Sequence, residues 1–287
     1  MVKNGRITKG VGGLYTVYSE GEYYRCKARG VFRNIGETPL VGVNVSIAVL
    51  DETKKEASIR IILPRKTKLT RPPAANVEQV IITACLYEPP FNQGLLDRYL
   101  VLSQDCGVDV LVVINKSEGY SEIFEPYKLA GYGMVFTDAL NGFGIPELRN
   151  HMKGRLSLFA GPSGVGKSSL INALIPKLDI ETGTLSKKTV RGKHTTRHTE
   201  IFPLGASSGD GFCFDTPGFS SLDFSHIKKE RLAGLYKEFI PHIGKCRFAN
   251  CCHIKELGCA IKEEVGKTVH PLRYESYVRI FTDVLLQ

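Results

Sequence analysis

In the first 66 positions apolar residues come in short bursts with polar residues between them. LYTVYS (14–19), EYYRCKARGVF (22–32), VGVNVSIAVL (41–50) and ASIRIILP (57–64) are separated by Gly, Asn and Glu-Thr-Pro clusters. Such segments predict strands, and several at close spacing predict a small antiparallel barrel of OB type. PRKTKLTRPPAA (64–75) reads as a solvated linker, because Pro-Pro stops regular structure and the charges favour water. From 78 the pattern changes. Nearly continuous apolar runs (EQVIITACL, VDVLVVIN, GMVFT, GRLSLFA, DGFCFD) alternate with helix-period stretches such as LLDRYLVLSQ and SSLINALIP. That alternation predicts an α/β domain with a mainly parallel sheet. Beyond 225, HIKKERLAGLYKEF predicts a helix, a cysteine-rich stretch follows, and Tyr274, Tyr277, Phe281, Val284 and Leu285 recur at helical spacing as the core face of a closing helix. Three domains are expected: a barrel with its linker at 1–72, an α/β domain at 73–225 and a helical metal-binding domain at 226–287.

Composition sharpens this division. No apolar run has the length of a membrane span and MVKNGRITKG lacks the apolar core of a secretory leader, so a cytoplasmic protein with no membrane partner is expected. The net charge of +9 is uneven. Residues 1–72 hold 14 Lys/Arg against 6 Asp/Glu, residues 73–225 hold 13 against 16, and residues 226–287 hold 11 against 7. Basic ends flanking a slightly acidic middle suggest a polyanion such as RNA. In the barrel segment Tyr15, Tyr18, Tyr23, Tyr24 and Phe32 are interleaved with Arg25, Lys27, Arg29 and Arg33, which supplies stacking faces beside cations.

The strongest chemical signal is GPSGVGKSS: Gly161, Pro162, Ser163, Gly164, Val165, Gly166, Lys167, Ser168 and Ser169. It follows an apolar run and opens a helix, the context a phosphate-binding loop requires. The glycines let backbone amides turn onto phosphates, Lys167 reaches the β- and γ-phosphates, and the Ser168 hydroxyl ligates Mg²⁺. Downstream, FCFDTPGF places Asp215 at a strand end toward the metal and Gly218 against the γ-phosphate. Between them, TVRGKHTTRHTE offers Thr196, or else Thr195, as a second Mg²⁺ ligand that is engaged only with a triphosphate.

Upstream, LVVINKSE offers Asn115, Lys116, Ser117 and Glu118 at a strand end. Asn115 would hold the edge of a guanine, the Lys116 stem would cover its ring, and Glu118 would accept its N1–H and exocyclic amine. Adenine lacks that donor pair and would leave the carboxylate unsatisfied, a penalty of about 1–3 kcal/mol or more. TDALNGFG adds a second base loop, with Asp138 and the Ala139 amide against the guanine oxygen. Glu118 stands where Asp is usual and Asp138 where Ser is commoner.

These are the motifs of a GTPase in cyclically shifted order, which a fold tolerates where chain ends lie close together. With GRITKGVGGLYTV, CKARGVFR, RPPAANVEQV, RGKHTT and a cysteine cluster, the chain resembles the circularly permuted, ribosome small-subunit-dependent GTPase family (RsgA, also called YjeQ or YloQ). The resemblance implies an OB-fold, a permuted GTPase domain and a zinc domain. It also implies binding of GTP and GDP, and docking on the 30S subunit and its rRNA through the outer domains. GTP hydrolysis would act in late maturation of that subunit, slow alone and stimulated by it. A monomer is expected.

CRFANCCHIKELGC supplies three thiolates and an imidazole, enough to close a tetrahedral structural Zn²⁺ site. The ligands are Cys246, His253, Cys259 and one of the adjacent cysteines; matching the family selects Cys251 and leaves Cys252 spare. Phe219 occupies the place after DTPG where a water-orienting Gln is common. His194 is therefore the expected catalytic residue, aided by Thr196, and the family match points to the same position. Two rival readings remain. A guanylate-kinase-like enzyme would share the phosphate loop but has no use for NKSE, DTPG or zinc. An RNA-binding protein would hold its nucleotide for structure alone.

Overall fold

The computed structural model describes residues 1–28, 39–69, 73–176, 178, 200–205, 208–215 and 224–285. Five strands, β1 (Val2–Val11), β2 (Leu14–Ser19), β3 (Glu22–Ala28), β4 (Asn44–Asp51) and β5 (Glu56–Ile62), form a barrel in the order β1-β2-β3-β5-β4, closed by pairing of β4 with β1. All neighbours are antiparallel except β3 and β5. Alternation along β3 explains the packing: Tyr24 and Cys26 face a core of Ile7, Val17, Val45, Ile47 and Ile59, while Tyr23, Arg25 and Lys27 face water. The aromatic set therefore divides. Tyr24 is core, Tyr15 packs partly buried against it, and Tyr18 is buried with its hydroxyl donating to the Gly205 carbonyl at 3.2 Å. Tyr23 is 45% exposed on the face of β3 that carries Arg25 and Lys27, and Phe32, Arg29 and Arg33 lie outside the described residues.

β1 carries no apolar pattern and is absent from the strands expected from sequence. Three pairings produce it. It binds β2 and β4 within the barrel, and through Lys9 opposite Glu200 it joins the sheet of the α/β region, with a 2.7 Å ion pair between those two side chains. Barrel and α/β sheet thus form one continuous β-structure among the described residues. The 64–75 segment is not a solvated linker. Its β6 (Lys68–Leu69) pairs with β7 (Ala74–Ala75), and both alanines are fully buried. Asn76 pins it by accepting from the Lys66 amide at 2.9 Å and donating to the Gly42 carbonyl at 3.2 Å. Gly42 is obligatory here, since a Cβ would sit 2.0 Å from the Ala75 oxygen.

β8 (Gln79–Ala84), β9 (Asp109–Ile114), β10 (Gly133–Phe136), β11 (Leu156–Ala160) and β13 (Phe212–Asp215) form a parallel sheet in the order β10-β9-β8-β11-β13, edged by antiparallel β12 (Glu200–Pro203). Period-two burial splits its residues between two layers. Val80, Ile82, Val110 and Val112 pack under α1 (Gln93–Asp105) and α2 (Glu125–Leu129). Ile81, Leu111, Val113 and Phe159 pack under α3 (Ile145–Met152) and α4 (Lys167–Leu174). Residues buried on both faces explain the continuous apolar runs.

In the C-terminal module, HIKKERLAGLYKEF is not one helix. α5 (Lys229–Leu232) passes into a 3₁₀ turn at Ala233–Leu235, Tyr236 is extended, and a second 3₁₀ stretch covers Lys237–His242. Breaking the helix lets Leu232, Leu235, Tyr236 and Phe239 all reach one core, with Tyr277, Ile280 and Phe281 of α7 (Pro271–Leu285). Gly234 and Pro241 permit the breaks. No helix among the described residues is long and apolar enough to cross a membrane.

Candidate nucleotide and metal sites

A parallel sheet gathers what leaves its strands at one edge, and four motif segments emerge there. The phosphate loop follows β11, Asn115–Glu118 follows β9, Thr137–Ala139 follows β10, and Asp215 ends β13. β11 is central, paired with β8 and β13. Leu158 lies opposite Phe214, so the backbone of Asp215 finishes beside the start of the phosphate loop. The cyclic shift in motif order leaves this convergence untouched, because strand order in space differs from strand order in the chain.

Two glycines of the loop are fixed by close approach. Gly161 (φ 131°) lies so close to β8 that a Cβ would meet the Thr83 oxygen at 2.2 Å, and Gly166 (φ 92°) so close to Asn115 that a Cβ would meet its Nδ2 at 2.2 Å. Lys167 is folded onto the loop, its ammonium donating to the carbonyls of Gly161 (2.8 Å) and Pro162 (2.6 Å). Burial lowers its pKa. Ser168 and Ser169 follow in the first turn of α4.

Asn115 is the joint of the site. Almost fully buried, it donates from Nδ2 to the Val165 carbonyl (2.9 Å), and its Oδ1 accepts from the Ala139 amide (3.2 Å) and Thr137 hydroxyl (3.2 Å). One side chain thus connects the phosphate loop with both base-loop candidates. Lys116 has a left-handed backbone (φ 57°), and its ammonium donates to the Glu88 carbonyl. The Ser117 amide donates to the Thr137 carbonyl at 3.0 Å. Glu118 is exposed at the mouth of this edge. Asp138 shapes its own loop, accepting from the Leu140 amide and the Asn141 side chain at 2.9 Å each. Thr137 and the Glu88 carbonyl went unread in the sequence. A lone Thr after a strand and a backbone oxygen carry no motif. His194, Thr195, Thr196 and Gly218 lie outside the described residues, as does the side chain of Asp215.

The second site lies in the C-terminal module. Ligand atoms of Cys246, Cys251, His253 and Cys259 all fall within 4.8 Å of one another. The Cys246 Sγ to His253 Nδ1, His253 Nδ1 to Cys259 Sγ and Cys246 to Cys259 distances are 3.5, 3.4 and 4.0 Å. Zn–S bonds of about 2.3 Å and Zn–N bonds of about 2.0 Å give tetrahedral edges of about 3.5–3.8 Å, so the donors fit a structural zinc. Cys252, the spare cysteine, has its Sγ 3.8 Å from the Asn250 carbonyl. Two tyrosines expected only as core, together with Glu256, hold the knuckle. Tyr274 and Tyr277 donate to the His253 and Cys252 carbonyls at 2.8 Å each. The Glu256 carboxylate accepts from the amides of Cys252 (2.8 Å), Ile254 (2.9 Å) and Lys255 (3.0 Å).

Comparison with known proteins agrees with this architecture. Residues 62–225 match the family model described as RsgA GTPase, and residues 4–59 match the RsgA N-terminal domain. A small ribosomal subunit biogenesis GTPase RsgA from Alkaliphilus metalliredigens is 40% identical over 290 residues, 99% of this chain and 98% of that protein. Its counterpart from Caldanaerobacter subterraneus subsp. tengcongensis is 41% identical over 286 residues, 98% and 95% of the two chains. The crystal structure of YjeQ from Thermotoga maritima superposes with a TM-score of 0.83 at 34% identity, covering all of both chains. That of YloQ, titled a circularly permuted GTPase, gives 0.81 at 32% identity, covering 99% of this chain and 96% of YloQ.

Proposed function

The chain belongs to the RsgA GTPase family, and from that premise we propose that it hydrolyses GTP to GDP and phosphate in late maturation of the small ribosomal subunit, docked on that particle's rRNA. The observation that carries the reading is Asn115, whose side chain ties the phosphate loop to the base loops across one sheet edge. A kinase of nucleoside monophosphates has no need of that joint.

In this reading the loop amides and Lys167 would hold the β- and γ-phosphates, and Ser168 with Thr196 would hold the Mg²⁺ that accompanies the nucleotide, a hard cation suited to hydroxyl and carboxylate donors. Asp215 would support that ion and the Gly218 amide would sense the γ-phosphate. Glu118 and the Ala139 amide read guanine, with the Lys116 stem along the ring. His194 orients a water whose oxygen bonds to the γ-phosphorus as the bond to the β–γ bridging oxygen breaks; Phe219, in the usual Gln place, has no group to do so. Tyr23, Arg25 and Lys27 form part of the RNA-facing surface of the barrel. The protein acts as a cytoplasmic monomer, with domains at 1–72, 73–225 and 226–287.

Phosphate release measured with GTP, with and without 30S subunits, tests the reading. Clear stimulation by subunits is expected, and equal rates with and without them would overturn it. His194→Ala should lose the stimulation while GTP binding persists; undiminished turnover in that variant dismisses His194.

A further inference from the structure

α1 is tied at one end to the nucleotide edge and along its length to the C-terminal module. At its start, the loop Cys85–Asn92 lies between the two halves of the nucleotide site. Its Glu88 carbonyl accepts from the Lys116 ammonium, and Pro89 Cδ lies 3.5 Å from where a Cβ on Gly164 would be. The loop is closed by the Phe91 amide donating to Leu86 at 3.0 Å, and Asn92 caps α1 by accepting from the Leu95 amide at 2.9 Å.

Four α1 side chains then reach the C-terminal module. Gln93 donates to the Leu272 carbonyl at 3.1 Å, and Arg98 pairs with Asp283 while its guanidinium covers the Phe224 ring at 5.3 Å. Asp105 forms an ion pair with Arg231 at 2.9 Å and a hydrogen bond with His226 at 3.0 Å. Asp97, fully buried, pairs with fully buried Arg273, which also donates to Glu238 at 2.7 Å and lies over the ring of Tyr236 at 4.7 Å. Slippage of α1 against the module would strand a buried charge, so the two move together. A helix of this length is stiff over about 20 Å.

We propose that α1 and the Cys85–Asn92 loop carry the effect of a partner docked on the C-terminal module to Lys116, so that docking is read as a change in guanine-nucleotide affinity. This rests on the reading above, in which the partner is the small ribosomal subunit. Pro90 and Asn92 are positioning residues in this route. They act through the loop on Lys116 and touch no nucleotide. Linkage requires that the nucleotide alter subunit affinity by the same factor.

The experiment measures the dissociation constant of a fluorescent GDP on the full chain, with and without saturating 30S subunits. It uses wild type and the double variant Pro90→Gly, Asn92→Gly, which loosens the loop between α1 and Glu88 and leaves the Asp97–Arg273 pair in place. In wild type a shift of roughly 5–150-fold is expected; in the variant it falls to about 2-fold or less, with the subunit-free constant unchanged. Backbone amide exchange at 85–92 provides a second readout on wild type alone, and subunits should alter its rate. An equal shift in both proteins, no shift in wild type, or exchange at 85–92 indifferent to subunits overturns the proposal. Phosphate release in the same samples separates the two readings: without stimulation in wild type the function itself fails, whereas intact stimulation with unaltered coupling in the variant removes only the route through α1.

Discussion

The nucleotide edge and the zinc knuckle reach defined shapes by opposite means. At the sheet edge each functional segment leaves a strand whose ladder already fixes the backbone, and Asn115 joins the segments through three hydrogen bonds. The knuckle (246–259) contains no strand and no helix, and the helix that follows, α6 (Ala260–Glu263), is a single turn. Its shape comes from Glu256, from two tyrosine hydroxyls and from the four metal ligands. Three thiolates at such separations repel unless a cation neutralises them. The described part of one site therefore draws its shape from strand ladders and a side-chain joint, and the other from side-chain contacts and its metal donors.

Removing zinc tests the contrast most severely. Chelation, or Cys259→Ser, should unfold the C-terminal module, a loss on the order of 10 kcal/mol of binding-linked folding energy. Amide exchange should rise at 246–285 while protection in the barrel and the parallel sheet persists. Gly166→Ala strikes the other site: the new Cβ would displace the Asn115 amide at a backbone angle that favours glycine. Strain of about 1–2 kcal/mol plus lost hydrogen bonds of about 1–3 kcal/mol predicts a GTP affinity lowered about a hundredfold or more by calorimetry. Lys167→Ala removes one charge-assisted contact, so affinity should fall about tenfold to a hundredfold. Its thermal midpoint without nucleotide should not fall, since burial already disfavours this cation.

Glu256→Gln sharpens the knuckle side, weakening three amide contacts and speeding zinc release to a chelator several-fold. Burial pushes the Glu256 pKa up, but donation from the amides of Cys252, its own residue, Ile254 and Lys255 outweighs this, and the net value falls from 4.5 to about 2. A carboxylate held below its unfolded value contributes stability above pH 4.5 that is lost as pH falls toward about 2. The smallest effect is expected from Asp138→Ala, which removes two bonds in a partly exposed turn worth about 1 kcal/mol together. GTP affinity should drop by less than about tenfold, leaving the Asn115 joint intact.

What was legible in the chain follows the range of the forces involved. GPSGVGKS needs only a strand before and a helix after, both local, and so it could be recognised from its neighbours. Cys246, His253 and Cys259 lie within fourteen residues and were equally open, whereas the choice of Cys251 over Cys252 came from the family match. β1 was not, because its strand character comes from β2, β4 and, across 191 positions, from the Lys9–Glu200 contact. The supposed linker at 64–75 looked polar because nothing local signals that Ala74 and Ala75 meet Gly42 and Leu156. HIKKERLAGLYKEF has helical propensity, yet a shared core with Tyr277 outweighed it.

By itself, then, the sequence determined the types of layer, the phosphate loop, the metal donors and the family, all of which are encoded in short windows by periodicity and residue chemistry. Only the tertiary structure decided that Tyr24 is core while Tyr23 faces water, that Asn115 binds two loops at once, and that α1 carries the C-terminal module. Those outcomes depend on which distant groups are left to satisfy a buried polar atom or fill a core, and that choice is made when the chain closes on itself.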